Sequence, residues 1–270
     1  MSHSTDFQDS HLHLSHLSQE DIDNIVSKAL NLNIQRLFAN TAEEEEWAGA
    51  IQAGKRWQAV TPFLGIHPWY AAHATPGWQE RLERISRETG CAIGEIGLDK
   101  KCRTETETQE SVFKDQLEIA YRHGRPISIH CLGRWERTIN MLQDARGQKQ
   151  GTPLLFHSYS GSVETMQRLI RLGASISFSL QNLNQKKSFE VMLQTPLEHI
   201  LLETDLSYQV QDKATKQKAT IEHIILLYEK VAKARHISVK ELCEQTWKNG
   251  SIFTIKGTNR RKKSGKTGST

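Results

Sequence analysis

Apolar positions along this chain follow two alternating rhythms. Short runs with strand-like patterning cover Asp6–His13, Ile34–Thr41, Ala59–His67, Cys91–Asp99, Pro126–Cys131, Pro153–Ser158, Ala174–Leu180 and Ile200–Asp205. Between them lie longer stretches with apolar residues three and four apart, the spacing of amphipathic helices. Several of these helices have readable starts. Ser18-Gln19-Glu20-Asp21 offers an N-cap followed by first-turn acids. Thr41-Ala42-Glu43-Glu44 has capping-box spacing, which makes Glu43–Glu46 a solvated helix start and not a metal site. Ser160 or Ser162 caps a helix through Leu172, which Gly173 then ends. Residues 219–253 read as two further helices, the second opening at Ser238 with capping-box spacing to Glu241.

Eight strands alternating with helices in about 255 residues predict an α/β fold, a (β/α)8 TIM barrel with extra C-terminal helices. A doubly wound open sheet has the same element count. Such a sheet gathers its ligands at one crevice, however, and here polar groups end the first, third, fourth, fifth, sixth and eighth strands. Only a closed ring brings those ends together.

Composition adjusts this picture in one place. The 270-residue chain is 37% hydrophobic and 24% charged, with a formal net charge of +4, in the range of a globular protein with a sizeable core. Six basic residues and no acidic ones fall from Lys256 onward. Without those six, 29 basic residues face 31 acidic ones, so the body carries no global signature for nucleic acid. The expected organisation is therefore a barrel over residues 1–255 and a basic, disordered tail over 256–270 that solvates the chain or adds phosphate contacts. No apolar run is long enough to span a bilayer, and the start lacks the basic and apolar regions of a signal peptide, so cytoplasm is the default expectation. The cysteines (Cys91, Cys102, Cys131 and Cys243) have no paired spacing and read as reduced thiols. Cys131 follows His130, but neighbours on a strand point to opposite faces, which argues against a Cys/His nucleophile.

The chemistry lies at the strand ends. His11 and His13, two apart, project to one face as a two-imidazole claw for a divalent metal, with Asp9 on the same face to orient a ligand. Glu95, in Gly94-Glu95-Ile96-Gly97-Leu98-Asp99, is costly to bury alone and can bridge two cations. His130 and His157 each close an almost wholly apolar run. Asp205 and Glu203 share one side of the eighth strand, and neighbouring residues leave open which of them faces inward. Four imidazoles and two carboxylates suit two divalent ions sharing a hydroxide, with Zn, Mn or Co favoured by the mixed N/O donors. His67, in Gly65-Ile66-His67-Pro68-Trp69-Tyr70, is the candidate for a non-ligand histidine touching substrate, and Trp69 and Tyr70 could stack on a base.

Together, Asp9–His13, Gly65–Pro68, Gly94–Asp99, His130-Cys131, His157–Gly161 and Glu203–Asp205 resemble the TatD family of metal-dependent deoxyribonucleases among the amidohydrolase-like barrels. Asn249 and Phe253 resemble the family's closing Asn–Phe pattern. The resemblance implies a Mg-, Mn- or Zn-dependent phosphodiesterase, often a 3′–5′ exonuclease on DNA. It implies that His11, His13 and Asp205 hold the first metal, Glu95 bridges, and His130 and His157 hold the second; Asp205 and Glu95 become the catalytic carboxylates. His67 and Arg134 are the substrate contacts. Two departures concern the rim: Leu132-Gly133 precede Arg134 where the family has arginine directly after His-Cys, and Leu206-Ser207-Tyr208 with the polar 209–218 stretch replaces the family's usual sequence.

The expected function is thus a metal-dependent hydrolase, foremost a DNA phosphodiesterase. The same centre acting on a small amide, lactone, ester or aminoacyl-RNA ester is the alternative, because a water-activating metal pair serves phosphorus or carbon equally. A non-catalytic binding protein that keeps its metals for stability is the third class. No membrane contact and no obligate protein partner is expected.

Overall fold

The computed structural model describes residues 6–14, 16–147, 151–207 and 220–254. The residues from Lys256 onward and those over 208–219 lie outside the described residues. Eight strands form: β1 Phe7–Leu12, β2 Ile34–Asn40, β3 Val60–Leu64, β4 Ala92–Asp99, β5 Ile127–Leu132, β6 Leu154–Phe156, β7 Ala174–Phe178 and β8 Ile200–Leu202. They pair in parallel and in sequence order. A Leu12–Leu206 bridge closes the seam between β8 and β1, reinforced by Asp205 N–H donating to the His11 carbonyl (3.0 Å) and His13 N–H to that of Leu206 (2.8 Å). The result is the predicted (β/α)8 barrel.

The helices of the outer layer are α1 Gln19–Asn31, α2 Trp47–Arg56, α3 Trp78–Thr89, α4 Thr106–His123, α5 Trp135–Arg146, α6 Val163–Arg171, α7 Leu180–Leu183, α8 Lys186–Gln194 and α9 His223–Arg235, followed by α10 Val239–Gly250. Ser18, Ser162 and Ser238 cap α1, α6 and α10 through their side chains, so Ser162 and not Ser160 starts α6. Thr41 does not cap a helix. Its hydroxyl accepts from Gly65 N–H (3.0 Å), and a short 3-10 turn over Glu44–Glu46 starts instead from Glu43, with no side-chain cap. Nor is the acidic run simply solvated. Glu46 accepts from Ala42 N–H at 2.6 Å and, with Glu43, approaches His16 at 3.0 and 3.6 Å.

Two cores hold the barrel. Outward residues of the strands meet the apolar stripes of the helices in one continuous cluster. Inside the ring, Phe38, Phe63, Ala92, Leu155 and Leu201 fill the lumen from β2, β3, β4, β6 and β8, and Phe253 closes it from below, all fully buried. This explains the terminal Asn–Phe pattern physically. Asn249 donates its amide to the carbonyls of Leu197 and Ile200 at 2.9 and 2.8 Å, which seats α10 under the strands and delivers Phe253 to the lumen. Arg36 stacks on Trp247 at 3.8 Å and donates to Gln8 Oε1 at 2.8 Å, latching the same helix to β1 and β2. Phe253→Ala is expected to lower unfolding stability by about 3–5 kcal/mol, the usual cost of emptying an aromatic core site, read as an earlier denaturant midpoint.

Candidate metal centre

Beyond the C-terminal ends of the strands, one buried carboxylate sits among five imidazoles. Glu95 Oε2 lies 3.3 Å from His11 Nε2 and 3.2 Å from His13 Nε2. Its other oxygen, Oε1, lies 2.6 Å from His157 Nε2, 2.9 Å from His130 Nδ1 and 3.3 Å from His67 Nε2. Each carboxylate oxygen thus has its own set of nitrogens. A register shift in β4 between Ile93 and Ile96 aims Glu95 at this point. Gly97 (φ 149°) lets β4 and β5 approach there, since a β-carbon on it would fall 1.8 Å from the His130 carbonyl oxygen.

Asp205 joins the claw across the seam: one donor atom each from His11, His13 and Asp205 lies within 4.8 Å of the others. Its backbone is left-handed (φ 52°), a conformation aspartate tolerates better than most residues, and this turns the chain as it leaves β8. Glu203 also points inward, with a different task. It is fully buried, accepts from Ser158 N–H (2.7 Å) and Ser177 Oγ, and faces His157 Nδ1 at 3.6 Å. Asp9 is a correction. Instead of orienting an imidazole, it accepts from Thr204 N–H (3.0 Å), Thr204 Oγ1 (2.5 Å) and the backbone of His11 (3.2 Å), tying the end of β8 to β1. Burial pushes its carboxyl up to about 7 despite those bonds.

The outer nitrogens of the rings decide which inner ones carry lone pairs. His130 Nε2 faces Asp99 Oδ2 at 3.1 Å, which leaves Nδ1 to look inward as an acceptor. His11 Nδ1 meets Ser128 Oγ at 3.2 Å. His67 behaves differently. Its Nδ1 accepts the Trp69 N–H at 3.1 Å, so in the neutral ring Nε2 must carry the proton and donate into the pocket. The neutral ring therefore presents a proton rather than a lone pair to the pocket, although His67, Glu95 and His130 also cluster closely enough to hold an ion. Arg134 stands at the start of α5 and donates to Thr106 Oγ1 at 3.0 Å.

Electrostatics reinforce the picture. Burial by itself would raise the Glu95 carboxyl, yet His157, His67 and His11 hold it well below its usual range. Burial lowers His11 to about 3 and His67 to about 4. His157 moves the other way: burial opposes its charge, but Glu95 and Glu203 lift it well above the ordinary histidine value. A buried carboxylate here demands positive charge from whatever its imidazoles can hold.

Divalent cations fit this demand. His11 Nε2 and His13 Nε2 stand 3.2 Å apart against the same carboxylate oxygen, close to the spacing of two donors each about 2.0–2.1 Å from one ion. His157 Nδ1 is buried with no hydrogen-bond partner, and the Glu203 carboxylate 3.6 Å away favours a proton there, which leaves the Nε2 lone pair to face the pocket. His11, His13, Asp205 and Glu95 Oε2 make one prospective donor set; Glu95 Oε1, His130 and His157 make the other.

Sequence reasoning passed over Asp99 and Ser128 as outer partners and gave Glu203 no task of its own. Strand parity carried the signal: Glu95, Gly97 and Asp99 alternate onto one face, as do Ser128 with His130 and Glu203 with Asp205. Cys131 points the other way, its thiol 3.3 Å from Thr138 Oγ1 on α5 and pushed by burial up to about 12. All four cysteines are free. Asp99→Asn is expected to weaken divalent-metal binding 10- to 100-fold in calorimetric titration while circular dichroism stays unchanged. Cys131→Ala should leave metal binding and turnover intact.

The family described as TatD related DNase matches residues 8–253. A human protein named deoxyribonuclease TATDN3 is 27% identical over 260 residues, covering 89% of this chain and 92% of its own. A Shigella flexneri protein named 3′-5′ ssDNA/RNA exonuclease TatD is 28% identical over 198 residues, covering 70% of this chain and 74% of its own. The crystal structure of the Escherichia coli TatD homologue YJJV superposes with a TM-score of 0.83 at 22% identity, over 92% of this chain and 97% of that one. No helix among the described residues is long and apolar enough to cross a membrane. With eight parallel strands, a ring of imidazoles about one carboxylate and a family match across nearly its whole length, this chain belongs to the TatD family of metal-dependent hydrolases.

Proposed function

We propose that the chain is a two-metal phosphodiesterase that shortens DNA strands from an end. The observation that carries this reading is the division of labour at Glu95, whose two oxygens face separate sets of nitrogen donors. Two ions held there, Mg, Mn or Zn, would lower the pKa of bound water and polarise a phosphoryl oxygen. The names of the human and Shigella relatives support a nucleic-acid substrate.

The chain's own groups then divide the work. His11, His13 and Asp205 would hold one ion and His130 and His157 the other, with the Glu95 carboxylate between the two sets. Asp205, half-buried at the mouth, takes the proton from the attacking water. His67 donates its Nε2 proton to a nonbridging phosphate oxygen, a role its backbone-anchored Nδ1 enforces. Asp99 and Ser128 hold the ligand rings so that little reorganisation accompanies catalysis. Arg134, at the start of α5, is assigned a contact to a neighbouring phosphate.

The test uses end-labelled single-stranded DNA with Mg, Mn or Zn beside a panel of lactones, amides and esters. Stepwise shortening of the oligonucleotide is expected, abolished by chelator and reduced at least about 100-fold in His130→Ala and Glu95→Gln. Intact DNA with every metal, together with a small ester that wild type turns over and His130→Ala does not, would move the centre to carbon chemistry.

A further inference from the structure

Four large apolar side chains are left exposed among the described residues: Trp69, Leu193, Leu226 and Ile252. Leu193 and Leu226 lie on outer helices, and Ile252 lies beneath the barrel beside the Phe253 plug. Trp69 is at the mouth, in a 3-10 segment over Pro68–His73 that follows β3 and begins right after His67. At 53% exposure its indole offers an open face to solvent, yet it is firmly held. Its Nε1 donates to Asp99 Oδ2 at 2.8 Å, and its ring meets His67 edge-on at 5.4 Å. The same Asp99 oxygen faces His130 Nε2 at 3.1 Å, so one carboxylate ties the exposed indole to the pocket.

Cations run alongside. The segment after β4 is stitched to this aromatic turn by Cys102 Sγ donating to the Pro68 carbonyl (3.4 Å) and Thr104 Oγ1 to that of Trp69 (3.5 Å). It carries Lys100, Lys101 and Arg103, all exposed. Lys100 lies across Gly133 of the next loop, where a β-carbon would meet its side chain at 3.1 Å. A pinned aromatic face beside a row of cations, one imidazole away from a phosphodiester-cleaving pocket, matches how single strands are held: bases stack on aromatics while backbone phosphates meet Lys and Arg. Across residues 1–255 acids slightly outnumber bases, 31 to 29, so this lip supplies locally what net charge does not.

We infer that Trp69 is the stacking platform for a nucleobase beside the scissile phosphodiester, with Lys100, Lys101 and Arg103 contacting adjoining phosphates. The assignment rests on the nuclease reading. It explains why an indole is both exposed and immobilised: the ordering cost is met before substrate arrives, and the base settles at a fixed offset from the metal ligands. Stacking tolerates any base, so the platform confers single-strand preference without sequence preference.

The experiment compares wild type, Trp69→Ala and Trp69→Phe on single-stranded 12-mers in which one abasic tetrahydrofuran residue walks through the last four positions at the cleaved end. Binding of the same oligonucleotides, fluorescently labelled, is followed by anisotropy in Ca²⁺. On the intact strand, Trp69→Ala should raise KM and Kd about tenfold, while Trp69→Phe, which keeps a π-face, stays within about threefold of wild type. At one abasic position the difference between wild type and Trp69→Ala should vanish. Replacing Lys100, Lys101 and Arg103 by Gln should flatten the slope of log Kd against log salt by about 2. If Trp69→Phe is as impaired as Trp69→Ala, or the penalty is equal at every abasic position, Trp69 only positions Asp99 and the assignment is wrong. If wild type shortens none of the intact strands with any metal, the nuclease reading fails and the assignment falls with it, an outcome recognisable before any variant is compared.

Discussion

Burying an ionised carboxylate without compensation costs several kcal/mol even after relaxation, and that cost organises the mouth of this barrel. Glu95 meets it with five imidazoles, a number that only a closed ring of strand ends can deliver to one point. Each of those rings must in turn be aimed. Ser128 and Asp99 do this for His11 and His130, the Trp69 amide does it for His67, and Asp9 holds the backbone from which the claw projects. The glycine at position 97, the register shift in β4 and the left-handed turn at Asp205 are local departures from regular strand geometry. All three occur where the backbone bends at the mouth to place a group of the site.

The opposite end of the barrel obeys a different physics. There Phe253 plugs a lumen of Phe38, Phe63, Leu155 and Leu201, and α10 is latched by Asn249, Gln8 and Arg36. The contacts of Phe253, Asn249, Gln8 and Arg36 there are apolar or hydrogen-bonded and hold the ring shut. Separating closure from chemistry in this way lets the mouth carry costly polar groups, because the packing that supports them is elsewhere.

Much of this was legible in the residues. All eight strands, their order and five of the six ligand candidates follow from period and from polar residues closing apolar runs; Asp205 was singled out by the family resemblance. The strands proved shorter than their patterns at the C-terminal ends: β3 stops at Leu64 rather than His67, β6 at Phe156 and β8 at Leu202. The residues past those points leave the ladder to serve the site. Thr41 has the spacing of a helix cap, but tertiary contact won, and its hydroxyl serves Gly65 instead. Asp9 had the right face and the wrong partner, since parity locates a side chain without saying whether a ring or a backbone amide will meet it. The choice between Glu203 and Asp205 was not available from either residue's neighbours, because both face inward. Both cluster with His11, but Asp205 also sits beside His13, whereas Glu203 sits beside His157 and is tied by Ser158 and Ser177 to β6 and β7.

That seam has a consequence for how the protein comes into being. His11 and His13 leave the ribosome nearly two hundred residues ahead of Asp205, which clusters with them, and the Asn249–Phe253 lock follows later still. A nascent chain that has not reached these residues can complete neither the ring nor the cluster around Glu95. The pocket is therefore assembled only once β8 has closed on β1 and α10 is seated beneath the ring.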